Sequence, residues 1–260
     1  MNRMKVSVIT VAYNSAGTIR DTLQSVLHQT YADIEYIVVD GASKDNTLAI
    51  IKEYEPLFGG RMRYVSEPDQ GIYDAMNKGI RMATGDVVGV LNSDDVFYDT
   101  QVVEHIAEAF EANGVDAIFG NLYYVRKNDV NAIVRVWKGS PYYPHAFQRG
   151  WHPAHPTFYV RRTCYARLGG FDVSFEVSAD FELMLRFIEK ARLSTFYLDR
   201  YLVKMRVGGE STGSIRKIIK GNINVLRAFK KNGIRVSWFY PVMRLFPKVV
   251  GICKSAFRLI

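Results

Sequence analysis

Gly85-Asp86-Val87-Val88-Gly89-Val90-Leu91-Asn92-Ser93-Asp94-Asp95-Val96-Phe97 is an apolar run that ends abruptly on two adjacent carboxylates. A run this short and rich in Val, bounded by Gly on one side and Asn-Ser-Asp-Asp on the other, predicts a buried parallel strand. In open α/β sheets ligands bind beyond the carboxyl ends of the strands, which is where Asp94 and Asp95 fall. Neighbouring carboxylates repel one another, and a divalent cation or a ribose hydroxyl relieves that cost. The competing reading is a solvated turn, because Asn, Ser and Asp are turn formers.

N-terminal to this stretch, strand and helix patterns alternate. Residues 5–13 predict a strand, and Ile19, Leu23, Val26 and Leu27 form one face of a helix that Ser15 or Thr18 would cap. Ile34–Asp40 predicts a second strand, delivering Asp40 into the loop Gly41-Ala42-Ser43-Lys44-Asp45-Asn46-Thr47. A helix follows with Leu48, Ile51 and Tyr54 inward, then a third strand over 61–67, a turn at Pro68-Asp69-Gln70-Gly71, and a helix over 73–84 stopped by Gly85. This order is the signature of an α/β fold, a mostly parallel sheet flanked by helices.

C-terminal to it, Asp99 would cap a helix, and residues 117–126 and 132–138 predict a strand pair around Lys127-Asn128-Asp129. Residues 142–156, dense in Pro, His and aromatics, predict a loop over the site. Then come a strand over 158–161, a short helix over 162–168 and the turn Gly169-Gly170-Phe171-Asp172. A helix over 179–191 would bury Phe181, Met184, Leu185 and Ile188 and present Asp180 in its first turn. Two further strands, 195–198 and 202–206, precede a Gly-rich turn over 208–213.

With 48% hydrophobic residues among 260, the chain has enough apolar material for a full core, which excludes disordered and fibrous classes. Cys164 and Cys253 stand far apart, which argues against a disulfide framework or a zinc site and suits a reducing cytoplasm. Asn14 and Ser15 interrupt the first apolar run, so it reads as a strand and not as a signal peptide. The net charge of +8 divides sharply: residues 1–203 carry 21 Lys and Arg against 25 Asp and Glu, and residues 204–260 carry 13 against one. The division predicts a catalytic domain, 1–213, and a basic amphipathic helical extension, 214–260. Four charges spread over 238–260 argue against a spanning helix and for an in-plane helix on an anionic membrane surface, the competing reading being that the apolar face packs on the catalytic body or on a second subunit.

Thr10-Val11-Ala12-Tyr13-Asn14, Val39-Asp40-Gly41-Ala42-Ser43-Lys44-Asp45-Asn46-Thr47, Asn77-Lys78-Gly79-Ile80, Leu91-Asn92-Ser93-Asp94-Asp95, Gly169-Gly170-Phe171-Asp172 and Ala179-Asp180-Phe181-Glu182-Leu183 together resemble family 2 glycosyltransferases of the GT-A fold, of the kind that build bacterial surface polysaccharides. The resemblance covers about residues 4–210. It implies inverting transfer of a sugar from a nucleotide donor, usually UDP-linked, to an acceptor hydroxyl, with Mn²⁺ or Mg²⁺ as cofactor. It places Thr10, Ala12 and Tyr13 at the nucleobase pocket, Asp40 on base or ribose, Asp94 toward ribose and metal, Asp95 as the direct metal ligand, and Asp180 as the general base. Asn92 departs from the pattern, since many members carry Asp there.

Other positions are read from their own chemistry. His152 and His155 lack the further ligands of a zinc site, and His155 suits acceptor or phosphate contact. Arg206, beside a Gly-Gly turn, suits a lid over a diphosphate. The expected partners are a nucleotide-sugar donor, a lipid-linked glycan acceptor and, through the tail, the inner face of the cell membrane; no nucleic acid is expected. A dinucleotide oxidoreductase would need G-x-G-x-x-G after the first strand, where Tyr13-Asn14-Ser15-Ala16-Gly17 stands. The rival class is a non-catalytic nucleotide-sugar-binding module.

Overall fold

Val6–Ala12 (β1) and Ile34–Asp40 (β2) are buried at every residue, as strands covered on both faces must be. The computed structural model describes residues 3–208, 215–237, 239 and 240. The chain continues through β3 (Met62–Ser66), β4 (Val87–Val90), β5 (Val96–Phe97), β6 (Ala117–Arg126), β7 (Asp129–Trp137), β8 (Tyr159–Arg161) and β9 (Thr195–Arg206). One sheet takes all nine strands in the order β3-β2-β1-β4-β8-β6-β9-β5, with β7 paired on β6.

Its first four strands are parallel, and the registers Ala12↔Asp40 and Ile9↔Val90 bring the ends of β1, β2 and β4 to one edge. The second half departs from a mostly parallel sheet. β8 runs antiparallel to both β4 and β6, and β5 antiparallel to β9. A three-residue strand carries no periodicity that would give its direction. Residues 195–206 form one strand and not two, with a register shift near Asn121 where β6 and β9 pair.

Helices cover both faces. On one side are α1 (Ile19–Leu27), α2 (Thr47–Tyr54) and α4 (Val102–Asn113); on the other are α3 (Ile72–Met82), α5 (Arg162–Leu168) and α6 (Ala179–Met184), the last running on as a π-helical segment, Leu185–Lys190. Gly89 in β4 lets the fully buried Tyr159 ring cross the strand, since a Cβ there would stand 2.2 Å from a ring carbon.

Ile215–Lys231 (α7) lies beyond the boundary that the charge division predicts, yet Val225, Ala228 and Phe229 are buried in the same core as α6. Phe229 meets Phe181 edge-to-face at 5.6 Å. The inner face of α7 is therefore core and not a separate tail. The predicted helix over 248–260 and Trp238 lie outside the described residues. Among the described residues no helix is long and apolar enough to cross a membrane.

Candidate active site

Three strand-end loops are laced together before any functional side chain is placed. Asn14, at φ 49°, accepts from the Lys44 amide at 2.9 Å, and its own amide donates to Ser43 Oγ at 2.8 Å. The Ser15 amide donates to Thr47 Oγ1 at 2.7 Å, and the Ser15 hydroxyl meets Ser93 Oγ at 2.8 Å. The loops after β1, β2 and β4 thus form one rim.

Within that rim, Asp94 is half-buried and Asp95 is 1% exposed. Thr22 of α1 donates to the Asp95 carbonyl at 2.7 Å, and the Arg206 amide donates to Asp95 Oδ1 at 3.2 Å. Burial pushes the Asp95 carboxyl well above the usual carboxylate range, and the Asp94 charge adds to it. Asp94 is also raised by burial, while the charges of Arg206 and His155 pull it back. Among the described residues the buried oxygens Asp95 Oδ2 and Asn92 Oδ1 have no hydrogen-bond partner, although the Asn92 side chain favours the ionised Asp95 carboxylate.

Unpaired buried acceptors are costly, and a set made only of carboxylate and amide oxygens suits a hard divalent cation. Among the described residues no cluster of three or more His, Cys, Asp or Glu could hold a metal. The exposures also bear on the expected division of labour, because Asp94 is the more exposed of the two residues and Asp95 is buried.

Arg206 differs from expectation. Its guanidinium is buried and spent inside the protein: Nη1 donates to the Asp94 carbonyl at 2.5 Å, Nε to the Lys127 carbonyl at 3.0 Å, and Nη2 to the Asp21 carboxylate. It clamps the Asp94 loop from beneath and does not stand on a lid. Thr10 and Asp40 are likewise fully buried. The Thr10 hydroxyl donates to the Leu91 carbonyl at 2.7 Å. Asp40 accepts from the Ser43 hydroxyl at 2.5 Å, the Ser43 amide at 3.2 Å and the Ser66 hydroxyl at 2.6 Å, the Asx-turn role that its residue type also allows. Ala12 is buried, and Tyr13 is 61% exposed.

Asp180 is the second residue of α6, which opens at Ala179 after Ser178, whose φ of 70° lies in the left-handed region that β-carbon-bearing residues seldom occupy. The turn before it is held from several sides. Asn77 of α3 exchanges two 2.8 Å hydrogen bonds with the Phe171 backbone, and a Cβ on Gly170 would stand 2.2 Å from Asn77 Oδ1. Arg186 donates to the Gly170 carbonyl at 2.7 Å and pairs with Glu182 at 3.1 Å. From α7, Asn224 donates to the Val177 carbonyl at 2.9 Å and Arg227 to the Ser174 carbonyl at 3.0 Å, while Lys231 pairs with Asp172. A basic helix whose charge points to a membrane in the sequence thus fixes the loop that carries Asp180.

His155 Nδ1 lies 3.4 Å from Asp180 Oδ2, and the charge of His155 also reaches Asp94. The Tyr73 hydroxyl donates to Asp180 Oδ1 at 3.3 Å. Burial and the Asp180 charge raise the Tyr73 phenol well above its ordinary value, so it stays a donor. Tyr73 has no counterpart among the residues chosen from sequence: a Tyr on an amphipathic helix reads as core. His152 packs between Trp137 and Phe181, with ring centroids at 5.1 and 5.7 Å.

A family model described as glycosyl transferase family 2 matches residues 7–165. An uncharacterised glycosyltransferase of Mycobacterium tuberculosis is 35% identical over 183 residues, 70% of this chain and 68% of its own. A PGL/p-HBAD biosynthesis glycosyltransferase of Mycobacterium bovis is 28% identical over 253 residues, 94% and 92% of the two chains. Among solved structures, S. aureus TarS 1-349 superposes with a TM-score of 0.67 at 18% identity, over 87% of this chain and 65% of that chain. The mannosyltransferase PcManGT from Pyrobaculum calidifontis, solved with GDP-Man and Mn²⁺, superposes with a TM-score of 0.63 at 20% identity, over 94% and 69%. Identities this low carry the fold alone, a GT-A type sheet, and this chain spans about two thirds of each of those two structures.

Proposed function

The chain belongs to glycosyl transferase family 2, and we propose that it moves a sugar from a nucleotide donor to a hydroxyl of a lipid-linked glycan with inversion at the anomeric carbon. The observation that supports this reading best is that His155 Nδ1 lies 3.4 Å from Asp180 Oδ2, while the charge of His155 also acts on Asp94 in the loop after β4. UDP-GlcNAc and GDP-Man are held by structural neighbours; UDP is the base favoured by the sequence resemblance.

In this reading the nucleotide lies on the rim formed by the loops after β1, β2 and β4, with Tyr13 at the base and Thr10, Ala12 and Asp40 supporting the pocket wall. Asp94, and Asp95 through its unpaired oxygen, would hold Mn²⁺ or Mg²⁺, whose chemistry is to neutralise charge on the departing diphosphate. Asp180 takes the proton of the acceptor hydroxyl as that oxygen bonds to the anomeric carbon and the bond to the diphosphate oxygen breaks. General base help of this kind is worth roughly 10²–10⁴-fold. Tyr73 and His155 hold the two carboxylate oxygens so that a lone pair points at the acceptor. His155 also stands where it can touch acceptor or phosphate.

The acceptor approaches over the wall of residues 142–156, and the basic C-terminal segment keeps the enzyme at the inner face of the membrane. A thermal-shift screen of nucleotide sugars with Mn²⁺ identifies the donor, and proton NMR of the product reads the anomeric configuration. Retention of configuration, or binding of every donor with no turnover on any lipid-linked acceptor, contradicts the proposal; the second result marks a binding module instead.

A further inference from the structure

The β6–β7 hairpin carries a surface that the transfer chemistry does not use. Ile133, Val134 and Val136 on β7 are 51%, 46% and 49% exposed, although they are strand residues with strong preferences for burial. Among the described residues β7 pairs only with β6, and a register shift between Tyr124 and Val125 leaves Val134 outside the ladder. Val136 is the cross-strand partner of Tyr123, and Tyr123 pairs on its other side with Lys204 of β9. Residues paired across strands share a face, so the aliphatic group runs on into a set of rings. Tyr123 stacks on Tyr201 at 3.9 Å, and Tyr98, 38% exposed, packs at 5.6 Å from Tyr123.

Charge borders this surface. Arg126 at the end of β6 and Lys127 in the turn are exposed, Lys204 lies 5.7 Å from the Tyr98 ring, and Lys138, just after β7, pairs with the exposed Asp199 at 3.5 Å. Asp129 is the one acid of the segment 122–138, against Arg126, Lys127 and Lys138 and, over the Tyr124 ring on the opposite face, Arg135. Exposed branched aliphatics, tyrosines and bases together are the composition of a headgroup boundary: apolar tips enter the acyl edge, tyrosines sit at headgroup depth and cations meet lipid phosphates. A second copy docking through the same surface would instead bring the bases of both copies into one interface, where like charges repel.

We propose that the β6–β7 hairpin, with Tyr98 and Tyr201, docks on an anionic phospholipid surface. The docking is separate from any contact made by the C-terminal segment. It deepens the lipid-linked acceptor reading and rests on it for its purpose, but not for its test. The Lys127 carbonyl is bound by Arg206, whose amide holds Asp95, so a hairpin lying on lipid sets the Asp94 loop close to the membrane plane.

The test is cosedimentation of the full chain with phosphatidylcholine vesicles containing 30% (roughly) phosphatidylglycerol, without donor or acceptor, so that failure of docking and failure of catalysis are read apart. The parent is expected to bind these vesicles and to leave pure phosphatidylcholine vesicles largely alone. Arg126→Gln with Lys127→Gln should weaken partitioning about thirtyfold, as two basic residues at about 1 kcal/mol each require. Val134→Ser with Val136→Ser, both at solvent-exposed positions, should weaken it about tenfold and leave the melting temperature and nucleotide binding unchanged. Parent-like partitioning of both variants overturns the proposal and leaves membrane contact to the C-terminal segment. Loss of a dimer in the aliphatic variant, seen by light scattering, overturns it in favour of a second copy. Binding of soluble oligosaccharide to the tyrosine set in a parent that ignores vesicles overturns it in favour of a glycan platform.

Discussion

Replacing Arg206 by Met keeps the apolar stem and removes only the guanidinium. Three acceptors then lose their donor: the Asp94 carbonyl, the Lys127 carbonyl and the Asp21 carboxylate. Asp21 is half exposed and regains water, so its share is about 0–1 kcal/mol. Each carbonyl loses a hydrogen bond from a charged donor, worth about 1.5–3 kcal/mol. The sum is about 3–7 kcal/mol, a large part of the stability of a domain this size. Urea denaturation followed by far-UV circular dichroism measures it. Because the clamp holds the Asp94 loop, UDP affinity of the folded fraction should also fall at least tenfold, measured by calorimetry well below the transition. Arg206→Lys should recover only part of both losses, since an ammonium cannot span three acceptors in one plane. A cost under about 1 kcal/mol, or a full stability loss with parent-like UDP affinity, refutes the clamp.

Three further outcomes are expected. Tyr73→Phe should lower kcat about tenfold while UDP affinity and the melting temperature stay near the parent's, because only the bond that orients Asp180 is lost; an equal fall in UDP affinity would place Tyr73 on the donor side. Gly170→Ala should lower kcat and thermal stability together, since the new Cβ displaces Asn77 from the Phe171 backbone, and parent-like values for both would show that the turn tolerates it. Glu35, at the opposite end of the strands, is held at about 2 against an ordinary 4.5: burial opposes its ionisation, and donation by Ser7 and Thr84 with the charge of Lys5 outweighs it. A depressed carboxyl contributes stability above pH 4.5 that is lost as the pH falls toward 2, so Glu35→Gln should cost about 2–3 kcal/mol at pH 7 and converge with the parent near pH 2. A gap that does not change with pH contradicts that network.

Much of the arrangement is legible in the sequence because the first half is a repeated strand and helix in which each polar strand end stands out against an apolar run. Ala12, Asp40 and Asp94 reach one rim for that reason. Burial at the rim is not legible: Thr10 and Asp40 carry side chains suited to a ligand, and only the neighbouring Leu91 carbonyl, Ser43 and Ser66 show that both are turned inward. The second half resists local reading more strongly. β8 has three residues and no preferred direction, and Arg206 looks exposed beside a Gly-Gly turn although β9 carries it under the Asp94 loop. Tyr73 lies 107 residues from Asp180, a pairing that no spacing rule reaches. α7 misleads in the opposite sense, because its charge pattern suggests a free tail while Asn224, Arg227 and Phe229 tie it to the Asp180 loop and core.

Asp180→Asn tests the central claim most directly, with calorimetric UDP titration and single-turnover sugar transfer measured on the same preparation. The substitution preserves shape and removes the proton acceptor, so UDP affinity should stay within about twofold of the parent while transfer slows at least about a hundredfold. Transfer at the parent's rate, or loss of UDP binding from a folded protein, would contradict the assignment of Asp180 as the base that draws the proton from the acceptor.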